Sequence, residues 1–518
     1  MTKSKIPLKA GKLFILVILL LASIPVFAQS VDTAWVRRYN GPGDSSDYAR
    51  GIAVDGSGNV YVTGYSYGGG TGDDYATIKY YPNGDTKWVS TYNDSGNYTD
   101  RASAIAVDGS NNVYVTGYST SSETSADYTT IKYYPNGDTE WVRTYNGPGN
   151  DYDYALAITV DDSGNVYVTG QSGYSGHSAN YATIKYYPNG DTEWVRTYNG
   201  PGNDYDEAHA IAVDGSNYVY VTGASFGSGT YYDYATIKYY PNGDTAWVRR
   251  YNGPGNGQDY ANAITVDDSS NVYVTGQSYG GTDYDYATIK YYPNGDTAWV
   301  RRYNEPGNGS DYANAIAVDS SGNVYVTGQS YGGTDYDYAT IKYYPNGDTT
   351  WVRRYNGPGN SDDGAYAMVV DGSGNVYVTG WSSGSGTSYD YTTIKYYPNG
   401  DTAWVKRYNG PGNADDYAFA IVLDGSVNVY VTGRSEGNGT DYDYATIKYV
   451  QFLCGDANKD GIVDVGDVVY LINYLFKSGP APVPILTAGD ASCDGVVDVG
   501  DIVYLINYLF KNGPEPCC

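Results

Sequence analysis

Along most of this chain, apolar and polar positions alternate in short runs broken by turn-forming residues, the period expected of half-buried strands. The stretch from Tyr260 to Tyr303 shows the pattern in full. Ala263 to Asp267 (AITVD) and Asn271 to Gly276 (NVYVTG) are rich in β-branched residues and tyrosine, with a Ser/Asn turn between them. Ala287 to Tyr292 (ATIKYY) and Thr297 to Tyr303 (TAWVRRY) flank Pro293 to Asp296 (PNGD), where proline sets φ and Asn-Gly tolerates a positive φ. None of these runs has a helical 3.6-residue period. The unit therefore predicts two hairpins in one four-stranded sheet, and such a sheet buries both faces only by stacking on copies of itself.

Those copies exist. The tryptophan opening the fourth strand occurs at Trp35, Trp88, Trp141, Trp194, Trp247, Trp299, Trp351 and Trp404, at intervals of 52 or 53 residues. VYVTG and IKY each recur eight times. Eight four-stranded units at this period predict an all-β fold, an eight-bladed β-propeller over residues 31–450. The array begins with a lone WVRRY strand (Trp35 to Tyr39) and ends at ATIKYV (Ala445 to Val450) without one. The N-terminal strand is thus expected to complete the last blade and close the ring, leaving no open sheet edge. The units resemble the SBBP family of bacterial β-propeller repeats, through DGSGNVYVTG (Asp55 to Gly64) and YATIKYYPNGDTKWV (Tyr75 to Val89). That family's name implies seven blades, whereas the count here is eight.

Composition narrows the function classes. The chain has 67 Gly, 65 Tyr and a formal net charge of −27. Such a charge argues against nucleic acid and anionic membranes and fits solubility outside the cell. Residues 1–28 read as a secretory signal peptide: Lys3, Lys5, Lys9 and Lys12, an apolar core from Leu13 to Leu21, and Val26-Phe27-Ala28 before the cleavage point. The mature protein is then expected to be secreted, without membrane insertion.

Near-identical blades supply symmetry where catalysis needs unlike environments. The aspartate closing each first strand (Asp55 and its seven equivalents) reads as a turn cap rather than a calcium ligand. The lysine of each IKY (Lys79 and its equivalents) reads as covering apolar surface and pairing with an aspartate, the alternative being a ring of lysines in the channel. Residues that break the symmetry are His177, His209 with Glu207, Glu305, Trp381, and Arg434 with Glu436; they scatter over blades and read as drift in exposed loops. The second-to-third-strand loops, such as Tyr65 to Tyr75 and Gln277 to Tyr286, are rich in Gly, Tyr and Asp and suit contact with protein or polysaccharide.

After Val450 the text changes. Residues 451–453 read as a linker, and residues 454–518 as a separate module. CGDANKDGIVDVGDVVYLINYLFKSGP (Cys454 to Pro480) has a near copy, GDASCDGVVDVGDIVYLINYLFKNGP (Gly489 to Pro514). Each holds a twelve-residue loop with oxygen-bearing side chains at positions 1, 3, 5, 9 and 12 and glycine at 6. The first set is Asp456, Asn458, Asp460, Asp464 and Asp467, around Gly461, with the carbonyl of Ile462 at position 7. The second is Asp490, Ser492, Asp494, Asp498 and Asp501, around Gly495, with the carbonyl of Val496. Hard oxygen donors around a glycine bend are what Ca²⁺ requires, so two ions are expected, the second held more weakly because Ser492 is a short neutral donor.

Aspartate at position 12 and VVYLINYLF or IVYLINYLF after each loop make the pair resemble a type I dockerin, a small α-helical module that binds a cohesin on a scaffold protein or cell surface. Helices are expected near residues 465–476 and 499–510, with Val469, Ile472, Asn473 and Phe476 at spacings of three and four. The resemblance assigns partner choice to positions 10 and 11, here Val465-Gly466 and Val499-Gly500, in place of the hydroxyl residues common in the family. Identical pairs in both copies imply binding in either of two orientations. All four cysteines, Cys454, Cys493, Cys517 and Cys518, lie in this module; three pairings are possible, and one tying Cys454 to a C-terminal cysteine is favoured. The expected role is a non-catalytic docking and binding protein; the rival is a glycoside hydrolase using Glu207, Glu305 or Glu436.

Overall fold

The computed structural model describes residues 29–121, 125–174, 178–305, 309–511 and 513–516. The signal-peptide reading of residues 1–28, and His177, lie outside the described residues. The described chain forms eight four-stranded antiparallel sheets. Seven are built from consecutive strands, starting with Asp47–Val54, Val60–Tyr67, Asp73–Tyr80 and Thr86–Tyr92. The eighth combines Asp416–Leu423, Val429–Glu436 and Tyr442–Leu453 with the N-terminal strand Gln29–Tyr39 on its outer edge. The first strands of neighbouring blades pack on one another all the way round, blade 8 against blade 1 included, so they line the axis.

Alternation within VYV decides how the blades stack. In blade 2, Tyr114, Tyr128 and Trp141 point to one side and meet the small aliphatic face of blade 3, formed by Ala155, Val166, Val168, Ala182 and Ile184. The same aromatic-on-aliphatic interface closes the ring, with Trp35, Tyr430 and Tyr444 of blade 8 against Ala49, Val60, Val62, Ala76 and Ile78 of blade 1. Each buried third-strand tyrosine also spends its hydroxyl on the next blade. Tyr75 donates to the Thr129 carbonyl at 3.0 Å, Tyr234 to Ala287 at 3.1 Å, and Tyr444 to Ala76 at 3.1 Å across the closure. On the outer side, Trp88 Nε1 and Lys79 Nζ both donate to the carbonyl of Pro135 in the next blade's PNGD turn, at 3.2 Å each. Trp35 and Lys448 do the same to Pro82 at 3.1 Å.

The lysines therefore differ from the sequence reading in one respect. Their main partner is a neighbouring carbonyl, and the ammonium lies over a tyrosine ring, 4.5 Å from the Tyr61 centroid for Lys79. Lys79 also reaches Asp55 at 3.9 Å, and Lys132 and Lys185 pair with the partly exposed Glu140 and Glu193 at 2.8 Å. A carbonyl suits a lysine buried between sheets, because it satisfies the donor without burying a second charge.

The expected linker at residues 451–453 is strand. Gln451 and Phe452 pair with Val31 and Ser30, so the closing ladder runs to the edge of the C-terminal module. Blade 8 has no PNGD turn, and Gln451 stands in for it: its Oε1 accepts from Lys395 Nζ at 2.6 Å and Trp404 Nε1 at 3.4 Å. The second and third strands also run further than their apolar cores suggest, to Tyr67 and from Asp73 in blade 1, because Tyr65 and Tyr75 continue the ladder.

Aspartates at two places in the blade are shifted in opposite directions, Asp55 and Asp267 downward and those that open the first strands upward. Asp55 caps its turn: burial raises its pKa, but bonds from the amides of Ser57 and Asn59, the Asn59 side chain and the Tyr61 hydroxyl outweigh this and hold it below the ordinary carboxylate value. The aspartate that opens each first strand is fully buried. Burial pushes Asp47, Asp100, Asp153, Asp311 and Asp416 up to about 6 despite backbone and serine hydrogen bonds. A carboxyl with a raised folded pKa contributes stability that is complete below the unfolded value of about 4 and is lost as pH rises through about 6. Asp55 and Asp267, held down, contribute stability that is complete above about 4 and is lost as pH falls below it. The ring's thermal midpoint, followed by tyrosine near-ultraviolet dichroism, should therefore rise as pH falls from 7.5 to about 5 and drop again below about 4. A midpoint that declines steadily from pH 7.5 downward would contradict these assignments.

Deleting residues 29–39 should expose the outer edge of blade 8 and strip Trp35 from its interface. The expected result is a midpoint lower by more than about 5 °C and concentration-dependent association through the bare edge, read by calorimetry and gel filtration.

Candidate functional site

The C-terminal module places its two loops symmetrically. Helix α1 (Val465–Lys477) and helix α2 (Val499–Lys511) pack through Val468, Leu471, Ile502 and Leu505, with Ala457 and Ala491 beneath them. Each loop precedes its helix and turns sharply at a glycine in the left-handed region, Gly461 at φ +86° and Gly495 at φ +87°. Asp464 caps α1, and Asp467 reaches back to the Asp464 amide at 2.9 Å, a capping box that also fixes the orientation of the position-12 carboxylate.

The carboxylates hold the loop amides. Asp456 accepts from Asp460 N at 3.1 Å and Gly461 N at 2.9 Å, while Asp467 accepts from Asn458 N at 3.2 Å. Asp490 and Asp501 repeat this, taking Gly495 N and Ser492 N, both at 2.9 Å. Among the described residues, no group of three or more His, Cys, Asp or Glu side chains is drawn together closely enough to hold a metal ion. The donor chemistry nevertheless fits a hard dication. Burial pushes Asp467 up to about 6, and the neighbouring charges of Asp456 and Asp460 push the same way. No lysine or arginine pairs with Asp456, Asp460, Asp464 or Asp467 among the described residues. Position 7 can offer only its carbonyl, since the Ile462 and Val496 side chains are apolar and exposed.

Outward, both helices present an unburied apolar row. Val465, Val469 and Phe476 on α1, and Val499, Val503 and Phe510 on α2, are about half exposed or more. Ile472 and Asn473, placed on the same stripe from spacing alone, are only partly exposed. Gly466 and Gly500 are first-turn residues beside the two exposed valines. Cys454 is disulfide-bonded and Cys493 is not, so the partner of Cys454 lies outside the described residues.

In the ring, the described symmetry-breaking residues are on strands except for Glu305, which lies in the loop after Tyr303. Every first strand carries a β-bulge after its first alanine, between Ala49 and Gly51 in blade 1. The glycine of VYVTG permits it, since a Cβ on Gly64 would overlap the Tyr48 carbonyl oxygen. The bulged residue is Arg50, Ser103, Leu156, His209, Asn262, Asn314, Tyr366 or Phe419 by blade, on the strand that lines the axis. Two residues earlier, Glu207 pairs with Ala224, Gly364 with Trp381 and Tyr417 with Arg434. His209, Glu207, Trp381, Arg434 and Glu436 thus sit on strand ends at one end of the ring, the same end as the second-to-third-strand loops. The reading of drift in exposed loops is corrected accordingly. The bulge adds one such variable position per blade, His209 among them, on the strand that lines the axis, and leaves no mark in hydrophobic periodicity.

The three glutamates have separate partners. Glu207 lies 3.5 Å from His209 Nε2, Glu305 lies 3.5 Å from Arg354, and Glu436 pairs across strands with Tyr442.

Residues 34–70, 94–123, 246–285, 298–337 and 350–386 match the SBBP beta-propeller repeat, and residues 454–510 match the dockerin type I domain. The chain carries SBBP propeller repeats and a type I dockerin. No curated protein matches it. Solved structures similar to it include polysaccharide lyase Uly1 (13% identity, 78% of this chain and 90% of that one, TM-score 0.39). Others are Sqt1 from Chaetomium thermophilum (10%, 81% and 99%, TM-score 0.47) and a PL25 ulvan lyase (10%, 72% and 95%, TM-score 0.39). Likeness of this degree bears on neither activity nor ligand.

Type I dockerins bind calcium and cohesins, and proteins that carry them are typically extracellular. No helix among the described residues is long and apolar enough to cross a membrane. Chelation should abolish the helical dichroism of the dockerin while leaving the ring's β-signal unchanged. Calorimetric titration of Ca²⁺ back into the stripped chain should show two sites, the weaker one strengthened by Ser492→Asp; a single site, or two insensitive to that change, would contradict the loop assignments.

Proposed function

We propose that this chain is a secreted, non-catalytic binding protein that docks through its dockerin and presents the loop end of its propeller to protein or polysaccharide. The observation that carries the docking half is the pair of matched apolar rows on α1 and α2, exposed in a module whose family binds cohesins. Two ions, one per loop, would hold Asp456, Asn458, Asp460, Asp467 and the Ile462 carbonyl in the first loop, with Asp464 acting through water, and their counterparts in the second. The metal supplies the charge that lets buried carboxylates converge, and the loop in turn sets the first turn of its helix. Val465-Gly466 and Val499-Gly500 then lie at equivalent places on a two-fold surface, which supports docking in either orientation.

The non-catalytic half rests on the placement of Glu207, Glu305 and Glu436 in different blades or connections, Glu207 beside His209 and Glu305 beside Arg354, where a glycosidase needs two carboxyls facing one bond. Residues 451–453 tie ring and dockerin into one ladder, and we propose that a disulfide from Cys454 to Cys517 or Cys518 ties the module's ends together.

The test is capture on immobilised type I cohesins. Replacing Val465 and Val469 by lysine in one copy should weaken capture by only about twofold, since one orientation survives, whereas adding V499K and V503K should abolish it. Capture in excess chelator, or by the fourfold variant, would overturn the reading. No product should be released from plant and microbial polysaccharides; cleavage lost on E207Q, E305Q or E436Q would establish the rival hydrolase.

A further inference from the structure

The bulge ring is not uniform. Over blades 4 to 6 its side chains are satisfied internally: His209 Nδ1 lies 2.8 Å from the Ala261 carbonyl, and Asn262 and Asn314 donate to Ala313 and Ala365 at 2.8 Å. Over blades 8, 1 and 2 the equivalent ends carry three arginines among aromatic rings. The Arg434 guanidinium lies 4.4 Å from the Tyr442 ring, 4.5 Å from Tyr417 and 4.9 Å from Tyr48. Arg50 lies 5.0 Å from Phe419 and 5.6 Å from Tyr65, and donates to the Tyr65 hydroxyl at 3.2 Å. Arg101 lies 4.6 Å from Tyr65. Tyr48 stacks on Tyr65 at 4.9 Å, joining the blade 8 cluster to blade 1.

Charge sets this arc apart. In a chain of net charge −27, neither Arg50 nor Arg434 forms an ion pair with a carboxylate among the described residues. Arg101 alone does, with Asp73 at 2.6 Å. Nε of Arg434 is buried and has no hydrogen-bond partner among the described residues. Ring faces stabilise a guanidinium without neutralising it, so its forked donors remain available to an outside anion. Arg50, Tyr65, Arg101, Ser103, Tyr118 and Leu156 line a cavity of about 330 Å³.

We propose that this arc of the channel mouth binds acidic saccharides, with Arg50 and Arg434 taking carboxylate or sulfate groups and the flanking rings taking the apolar faces of the sugars. This deepens the reading of the propeller's loop end as the ligand-binding face and rests on it. A saccharide fits better than an acidic peptide. Alternating ring faces and guanidinium donors match a sugar's C–H face and its anionic substituent, whereas an acidic peptide would use the guanidinium donors and leave the ring faces unused.

The test uses the whole calcium-loaded chain in affinity electrophoresis through gels containing polygalacturonate, dextran sulfate, neutral dextran or polyglutamate. At least one of the two acidic polysaccharides should retard it, neutral dextran should not, and polyglutamate should do so far less. R50Q and R434Q should each weaken retention by about tenfold or more, the loss of a charged hydrogen-bonding group, while K87Q at the opposite end should not change it. Arg50 is exposed, so R50Q decides the matter even if R434Q disturbs packing. Retention by an acidic polysaccharide that neither variant weakens would overturn this site while leaving the loop-end reading standing. Equal retention by polyglutamate would overturn the saccharide class. If no gel retards the chain, this inference fails, and a protein or neutral-glycan ligand becomes the remaining form of the loop-end reading.

Discussion

The structure depends on a contact made eight times over, the buried third-strand tyrosine whose hydroxyl crosses to a main-chain carbonyl of the next blade. Tyr391 reaches Ala445 at 3.2 Å inside the array, and Tyr444 reaches Ala76 at 3.1 Å across its ends. A buried carbonyl and a buried phenol that satisfy each other fix both the spacing and the rotation between sheets, which apolar packing alone leaves loose. Since the interface is repetitive, the ring can close only if the last blade presents the same face as the others. That requires Trp35, and so requires the N-terminal strand. Gln451 shows the same constraint at the other chain end: the exit to the dockerin removes a PNGD turn, and a side-chain carbonyl stands in for the missing Pro carbonyl.

An interface repeated this closely leaves little room for variation inside the ring, and variation collects where the bulge places it. A glycine in every VYVTG accommodates the bulged strand, and the bulged residue differs from blade to blade. The result is a symmetric scaffold with an asymmetric mouth: hydrogen-bonded polar side chains on one arc, aromatic rings and arginines on the other. The dockerin follows the closing strand, so the proposed docking and binding surfaces belong to different parts of the chain, joined by a strand ladder.

Much of this was legible in the sequence. Period, turn chemistry and the orphan first strand specify an eight-bladed closed ring, because each blade's strands obey the two-residue alternation. The paired loops stand out because metal ligation demands oxygen donors at fixed spacing. What stayed hidden involves partners distant in sequence or departures from alternation. The bulge adds one residue to a strand and looks like ordinary text, so Arg434 and Trp381 read as isolated oddities and Arg50 drew no notice. Lys79 finds its carbonyl 56 positions away, and Gln451 resembles a linker residue until Lys395 is placed beside it. The buried aspartates that open each first strand, Asp47 among them, drew no notice, since their role is set by burial rather than by motif.

Closure by the N-terminal strand is the claim on which the account rests, and amide hydrogen exchange of the full chain tests it most directly. The amides of Trp35 to Tyr39 should be protected to the same degree as those of Trp247 to Tyr251, the equivalent strand of an interior blade. Exchange of Trp35 to Tyr39 within seconds, while the interior strand stays protected, would mean that the ring is open and that its two ends do not hold each other.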